Sequence, residues 1–146
     1  MPAAHVNLLR GHPRAKLRQV VSEISDAMHT ILAAPKDRLE VWITEVDPEL
    51  WGIAGEPASE LLLTRPHAAV EMPFVQMSLM RDRPVSQLHA IIEAITAILV
   101  RVLHSERERI RVHIADVDPE KWGIGGVAAS ILRKAELDAR NAKRCD

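Results

Sequence analysis

The sequence predicts an α/β chain in which two tandem β-α-β units lie side by side in one four-stranded mixed sheet, with both helices on one face. Three observations predict it. The chain matches itself at one fixed displacement. Each copy carries one long helical stripe, and short runs with the period of a strand bracket each stripe. Displacing the sequence by 71 positions lays Met1-Pro2 on Met72-Pro73 and Val46-Asp47-Pro48-Glu49 on Val117-Asp118-Pro119-Glu120. The same displacement lays Trp51-Gly52-Ile53 on Trp122-Gly123-Ile124, and no gap is needed. Such agreement at a single offset marks a duplicated unit.

Each unit opens on an extended run, Ala3–Leu9 and Phe74–Met80, in which Phe74, Met77 and Leu79 are apolar. A turn-like basic segment follows, Arg10-Gly11-His12-Pro13 and Arg81-Asp82-Arg83-Pro84. Its proline suits the start of a helix. The helical stripe is Leu17, Val20, Val21, Ile24, Ala27, Met28, Ile31 and Leu32. Its copy is Leu88, Ile91, Ile92, Ile95, Ile98, Leu99, Val102 and Leu103. Spacings of three and four put each set on one face. A second strand alternates at Leu39, Val41 and Ile43, and at Ile110, Val112 and Ile114. A right-handed crossover makes the two strands of each unit parallel. Asp47 and Asp118, each before proline, read as turn formers. Residues 1–56 form the first unit, 57–71 a linker holding Pro57 and Pro66, 72–133 the second unit, and 134–146 a charged tail read as a frayed helix. Helices cover only one sheet face. The other carries Trp42 and His113 beside charges, which predicts a symmetric oligomer.

The chain has 146 residues, enough for one domain or two small halves sharing a core. Hydrophobic residues at 47% and charged residues at 27% exclude a disordered chain. The net charge is −1, so no global field calls for nucleic acid or membrane. One Phe, three Trp and no Tyr give no platform for stacking bases. Cys145 is the single cysteine, so no internal disulfide forms. The first residues lack the pattern of a secretory leader, and a cytoplasmic location is expected. The most apolar stretch, Ala90–Leu103, is broken by Glu93 and Arg101 and is too short to span a bilayer. Seven histidines show no His-x-x-x-His or Glu-x-x-His pair with convergent partners. A metal is therefore not expected.

Met-Pro at the head of a β-α-β unit, a basic residue before the helix, and Trp122-Gly123-Ile124-Gly125-Gly126 after the second strand resemble the tautomerase superfamily. The chain looks most like its fused 4-oxalocrotonate tautomerase form, two family units in one polypeptide. The resemblance implies a cofactor-independent isomerase, a homotrimer, and a small 2-hydroxy-dienoate or enolpyruvate acid as substrate. It also implies that Pro2, freed by removal of Met1, is the general base. Pro73 matches in position but has only an amide nitrogen. The family's pre-helix arginine falls on His12 and Arg83, and its second-strand arginine on Glu40 and Arg111. Its aromatic wall falls on Trp51 and Trp122. The resemblance thus implies Pro2, Arg83 and Arg111 as catalytic residues, with Trp122 and Glu40 lining the substrate, and Pro2 of one half facing Arg83 and Trp122 of the other. Arginine's planar fork suits a carboxylate. Trp51 reads better as a core plug. Glu40 and the arginines missing from the first half keep two further readings open: a hydratase or dehalogenase in which Glu40 activates water, and a non-catalytic oligomeric binding protein.

Overall fold

The computed structural model describes residues 2–144. Met1 and Cys145, which entered the sequence reading, lie outside the described residues, as does Asp146. The first unit is β1 (Ala3–Leu9), α1 (Arg14–Leu32) and β2 (Glu40–Val46), closed by a small hairpin of β3 (Gly52–Ile53) and β4 (Glu56–Pro57). Two short helices follow, α2 (Ala58–Leu61) and α3 (His67–Val70). The second unit repeats the first as β5 (Phe74–Met80), α4 (Val85–Leu103) and β6 (Arg111–Val117). After it come the hairpin β7 (Gly123–Ile124) and β8 (Val127–Ala128), then α5 (Ala129–Leu132) and α6 (Lys134–Arg144).

The four long strands form a mixed sheet in the order β2-β1-β5-β6. Each unit's own strands are parallel, and β1 runs antiparallel to β5. Ala4, Val6, Leu8, Val75, Met77 and Leu79 are buried on the helix side. They meet Val20, Ile24 and Met28 of α1 and Ile91, Ile95 and Leu99 of α4, so one continuous core serves both units. Burying each such side chain fully contributes about 1.5–3 kcal/mol against leaving it exposed. Helix α4 begins at Val85, five residues before the apolar stretch read from sequence, and at 19 residues it is long and apolar enough to cross a membrane. Length was therefore the wrong ground for setting that stretch aside. Its face toward the sheet, with Ile91, Ile95 and Leu99 at no exposure, is the packing of a core helix.

The duplication extends to backbone detail. Gly11 and its copy Asp82 both take a positive φ, +137° and +71°, where the chain turns into each helix. Asp is among the few side chains that tolerate this region. The carboxylates of Asp47 and Asp118 each accept the N–H two residues on, at 3.0 Å, as their turn reading requires. On the open face Trp42 stacks on His5 with ring centroids 4.9 Å apart, and it remains 46% exposed.

Candidate active site

Because β1 and β5 are antiparallel, the two units put their leading prolines at opposite ends of the sheet. Ala3 pairs with Ser78, so continuing the ladder sets Pro2 opposite Leu79, beside the turn that carries Arg83. Met80 pairs with Val117, and the chain beyond Val117 brings Trp122 to that same end. Pro2 is buried, and its carbonyl accepts the N–H of Glu40 at 3.3 Å. The topology therefore brings Pro2 of one half together with Arg83 and Trp122 of the other at one end of the sheet.

Arg83 is not a solvated charge. One Nη donates to the carbonyl of Leu32 at 3.1 Å and to Oε1 of Gln87 at 3.0 Å. Gln87 in turn donates to the carbonyl of Ile31 at 2.9 Å. The guanidinium is thus fixed at the C-terminal end of α1, where a cation is favoured. Burial, and then the positive charge of Arg140, push the Arg83 pKa down to about 10.

The charged tail, read from sequence as a helix, contains the helix α6, which Arg38 ties to this end of the sheet. Arg38 donates to both carboxylate oxygens of Glu136 on α6, at 3.0 and 2.9 Å. Arg38, Arg83, Arg133, Glu136 and Arg140 line one cavity with Met80. Sequence reasoning missed the α6 residues and Arg38. The signal was present in the tail: positions 133, 136, 137 and 140 share one helical face.

Arg111 is placed elsewhere. It pairs with Phe74, which pairs with Asn7, so within one chain it sits five strand steps from Pro2, roughly 17 Å. Its Nη1 donates to the carbonyl of Glu108 at 2.8 Å. Arg111 and Glu40 alternate with the helix-side residues Val112 and Val41, so both belong to the open face with Trp42. Arg111 joins a Pro2 site only across a subunit boundary, whereas Glu40 adjoins Pro2 through its backbone in the same chain, with its side chain on the open face.

The Pro73 end carries an open cleft of about 460 Å³, lined by Asn7, Trp51, Met72, Phe74 and Arg111, and behind it the linker is held by polar contacts. Glu71, the last linker residue, is buried, and its Oε2 accepts the Leu9 N–H at 2.9 Å and pairs with His12 Nε2 at 2.7 Å. Arg109 clamps the carbonyls of Glu71 and Val70 at 3.0 and 2.8 Å. Trp51 packs one side against a small cluster of Leu9, Ile53, Ala58, Leu61 and Val70, but it is only half-buried and also lines the open cleft, so it is not simply the core plug read from sequence. His67 lies edge-on to His12, and the ligand atoms of His12, His67 and Glu71 fall within 4.8 Å of one another. This donor set could hold a metal ion, although the His12–Glu71 pair already satisfies two of its members. The metal reading from sequence missed the set because it joins the first unit to the linker. Its one local trace is the i,i+4 spacing of His67 and Glu71.

Paired β-α-β units with a buried proline heading each inner strand, and an arginine from the opposite half at the Pro2 end, define a chain of the tautomerase class. The tautomerase enzyme family matches residues 2–60 and 73–130, one match per unit. The chain belongs to this family, and its class of activity is that of an isomerase. It is 39% identical over 61 residues to a 2-hydroxymuconate tautomerase of Pseudomonas putida, covering 42% of this chain and 97% of that protein. It is 41% identical over 61 residues to the 2-hydroxymuconate tautomerase of Comamonas testosteroni, with the same two coverages. A native fused 4-OT structure superposes with a TM-score of 0.79 at 26% identity, over 90% of this chain and 98% of that one. A fused 4-OT described as an asymmetric trimer superposes with a TM-score of 0.77 at 22% identity, over 89% and 98%.

Proposed function

We propose that this protein is a cofactor-independent keto–enol tautomerase of small 2-hydroxy-dienoate or enolpyruvate acids, with one working site per chain at the Pro2 end of the sheet. Removal of Met1 frees the Pro2 nitrogen as a secondary amine. Burial favours the neutral form of an amine, and so do nearby guanidinium charges. The neutral amine takes the enol proton, and the electron pair moves through the conjugated system to a carbon. The pyrrolidinium then returns the proton to that carbon, so the amine is regenerated and the keto acid leaves. Arg83 holds the carboxylate by a charge-assisted contact, and Trp122 keeps water from the reacting atoms. Arg111 of a neighbouring protomer steadies the enolate oxygen within a homotrimer joined through the open sheet faces.

The observation that carries this reading is the antiparallel β1–β5 register, which sets the Pro2 end of one unit against the Arg83 turn of the other. Glu40 lies on the open face, away from the helix side, and that disfavours water activation by Glu40 of the same chain. Steady-state isomerisation of an enol acid tests the proposal. Pro2→Ala should abolish turnover, and Pro73→Ala should leave it largely intact. Equal losses would contradict a single site.

A further inference from the structure

Three donor groups meet at the Pro73 end, and the isomerase reading uses none of them. Glu71 Oε2 and His12 Nε2 stand 2.7 Å apart, and His67 completes a set whose ligand atoms lie within 4.8 Å of one another. Glu71 is 2% exposed and the His12 side chain 9%. Each donor is held through the backbone. The N–H of Glu71 donates to the carbonyl of His67 at 2.9 Å, a helical turn that sets both side chains on one face. Arg109 fixes the same turn through the carbonyls of Val70 and Glu71. His67 Nε2 meets the carbonyl of Arg10 at 3.1 Å. The turn before α1 passes so close that a Cβ at Gly11 would stand 3.0 Å from Cδ2 and Nε2 of that ring. A ring nitrogen spent on a backbone carbonyl orients the other as a ligand, the usual outer contact of a metal-binding histidine.

The set is not part of the repeat. The displacement of 71 lays His12, His67 and Glu71 on Arg83, Asp138 and Ala142, so the second unit does not carry it. Packing the linker would ask only for apolar side chains, and a buried carboxylate is costly unless its charge is met. Two imidazoles and a carboxylate suit zinc rather than calcium or magnesium, which take oxygen donors.

We propose that His12, His67 and Glu71 form a structural zinc site that fastens the linker to the turn before α1, with water as the fourth ligand. The proton between His12 and Glu71 gives way to the ion and passes to Nδ1 of His12 or to solvent. Zinc bonds of about 2.0–2.2 Å put tetrahedral donors about 3.3 Å apart, so the set draws in by up to about 1.5 Å. The Arg109 guanidinium beside this turn opposes a cation, which sets the affinity in the micromolar range. The site stands at the far end of the sheet from Pro2 and does not depend on the isomerase reading.

Calorimetry with zinc chloride on the full chain, stripped of metal beforehand, should give one ion per chain. Cobalt(II) in its place should show the visible absorption of a tetrahedral centre. Zinc at a hundredfold excess over Kd should raise the melting temperature by about 5–10 °C, and magnesium should not. His67→Ala and Glu71→Gln should each weaken zinc by at least about tenfold. His67→Ala keeps the His12–Glu71 pair, so its metal-free melting temperature should match wild type while the zinc shift disappears. Glu71→Gln keeps an amide oxygen for the Leu9 N–H. His113→Ala and Cys145→Ser remove donors outside the set and should change nothing. Binding no tighter than millimolar, an octahedral cobalt spectrum, or an affinity that survives His67→Ala and Glu71→Gln would overturn the proposal. Loss of zinc in His113→Ala or Cys145→Ser would also overturn it, since the ion would then sit elsewhere.

Discussion

At the scale of single residues, the two copies of the pre-helix position have taken opposite roles. Arg83 is held at the end of α1 with a free buried donor, and His12 is committed to the carboxylate of Glu71. Truncating a charge that pairs with a buried substrate carboxylate costs about 2–5 kcal/mol. Arg83→Ala should therefore lower kcat/KM by roughly 30-fold to 1,000-fold or more. His12→Ala should cost less than about tenfold, in the same steady-state assay with an enol acid. A larger loss at His12 would mean that the site is built within the first unit. The divergence was legible in the sequence, since the offset that aligns the halves lays His12 on Arg83. The reason was not legible. Glu71 stands 59 residues from His12, and no local pattern announces that a linker carboxylate will be buried against it.

At the scale of elements, periodicity carried most of the fold. The stripes through Val20, Ile24 and Met28 and through Ile91, Ile95 and Leu99 located α1 and α4, and both first strands run over the residues their sequences predict. Helices α3 and α6 were less legible because short or charged segments bury little apolar surface of their own. Their positions follow from polar partners far away in sequence, Arg38 for α6 and the Leu9 N–H for the residue that ends α3. That tether predicts a stability effect separable from catalysis. Glu71→Ala leaves the Leu9 N–H and His12 without their acceptor, about 1–3 kcal/mol for a buried group left unsatisfied. The melting temperature should fall by about 3–12 °C, with kcat/KM held within a fewfold of wild type. A matching loss of kcat/KM would instead make the Pro73 end part of the working site.

At the scale of the whole molecule, the open sheet face and the single amine decide the outcome. Trp42, 46% exposed and stacked on His5, stands on the open face through which the proposed trimer would assemble. Light scattering should return close to three times 16.3 kDa, and Trp42→Glu should shift the mass toward the monomer, whereas a wild-type monomer at micromolar concentration would contradict the assembly. The asymmetry of the halves is the central claim, and covalent labelling tests it most directly. A neutral secondary amine adds to an alkynyl 2-keto acid, and an amide nitrogen does not. The intact protein, treated with such a reagent and mapped by peptide mass spectrometry, should carry one adduct per chain, on an N-terminal peptide that begins at Pro2. Retention of Met1, an adduct on any other residue, or two adducts per chain would contradict a single amine-bearing site.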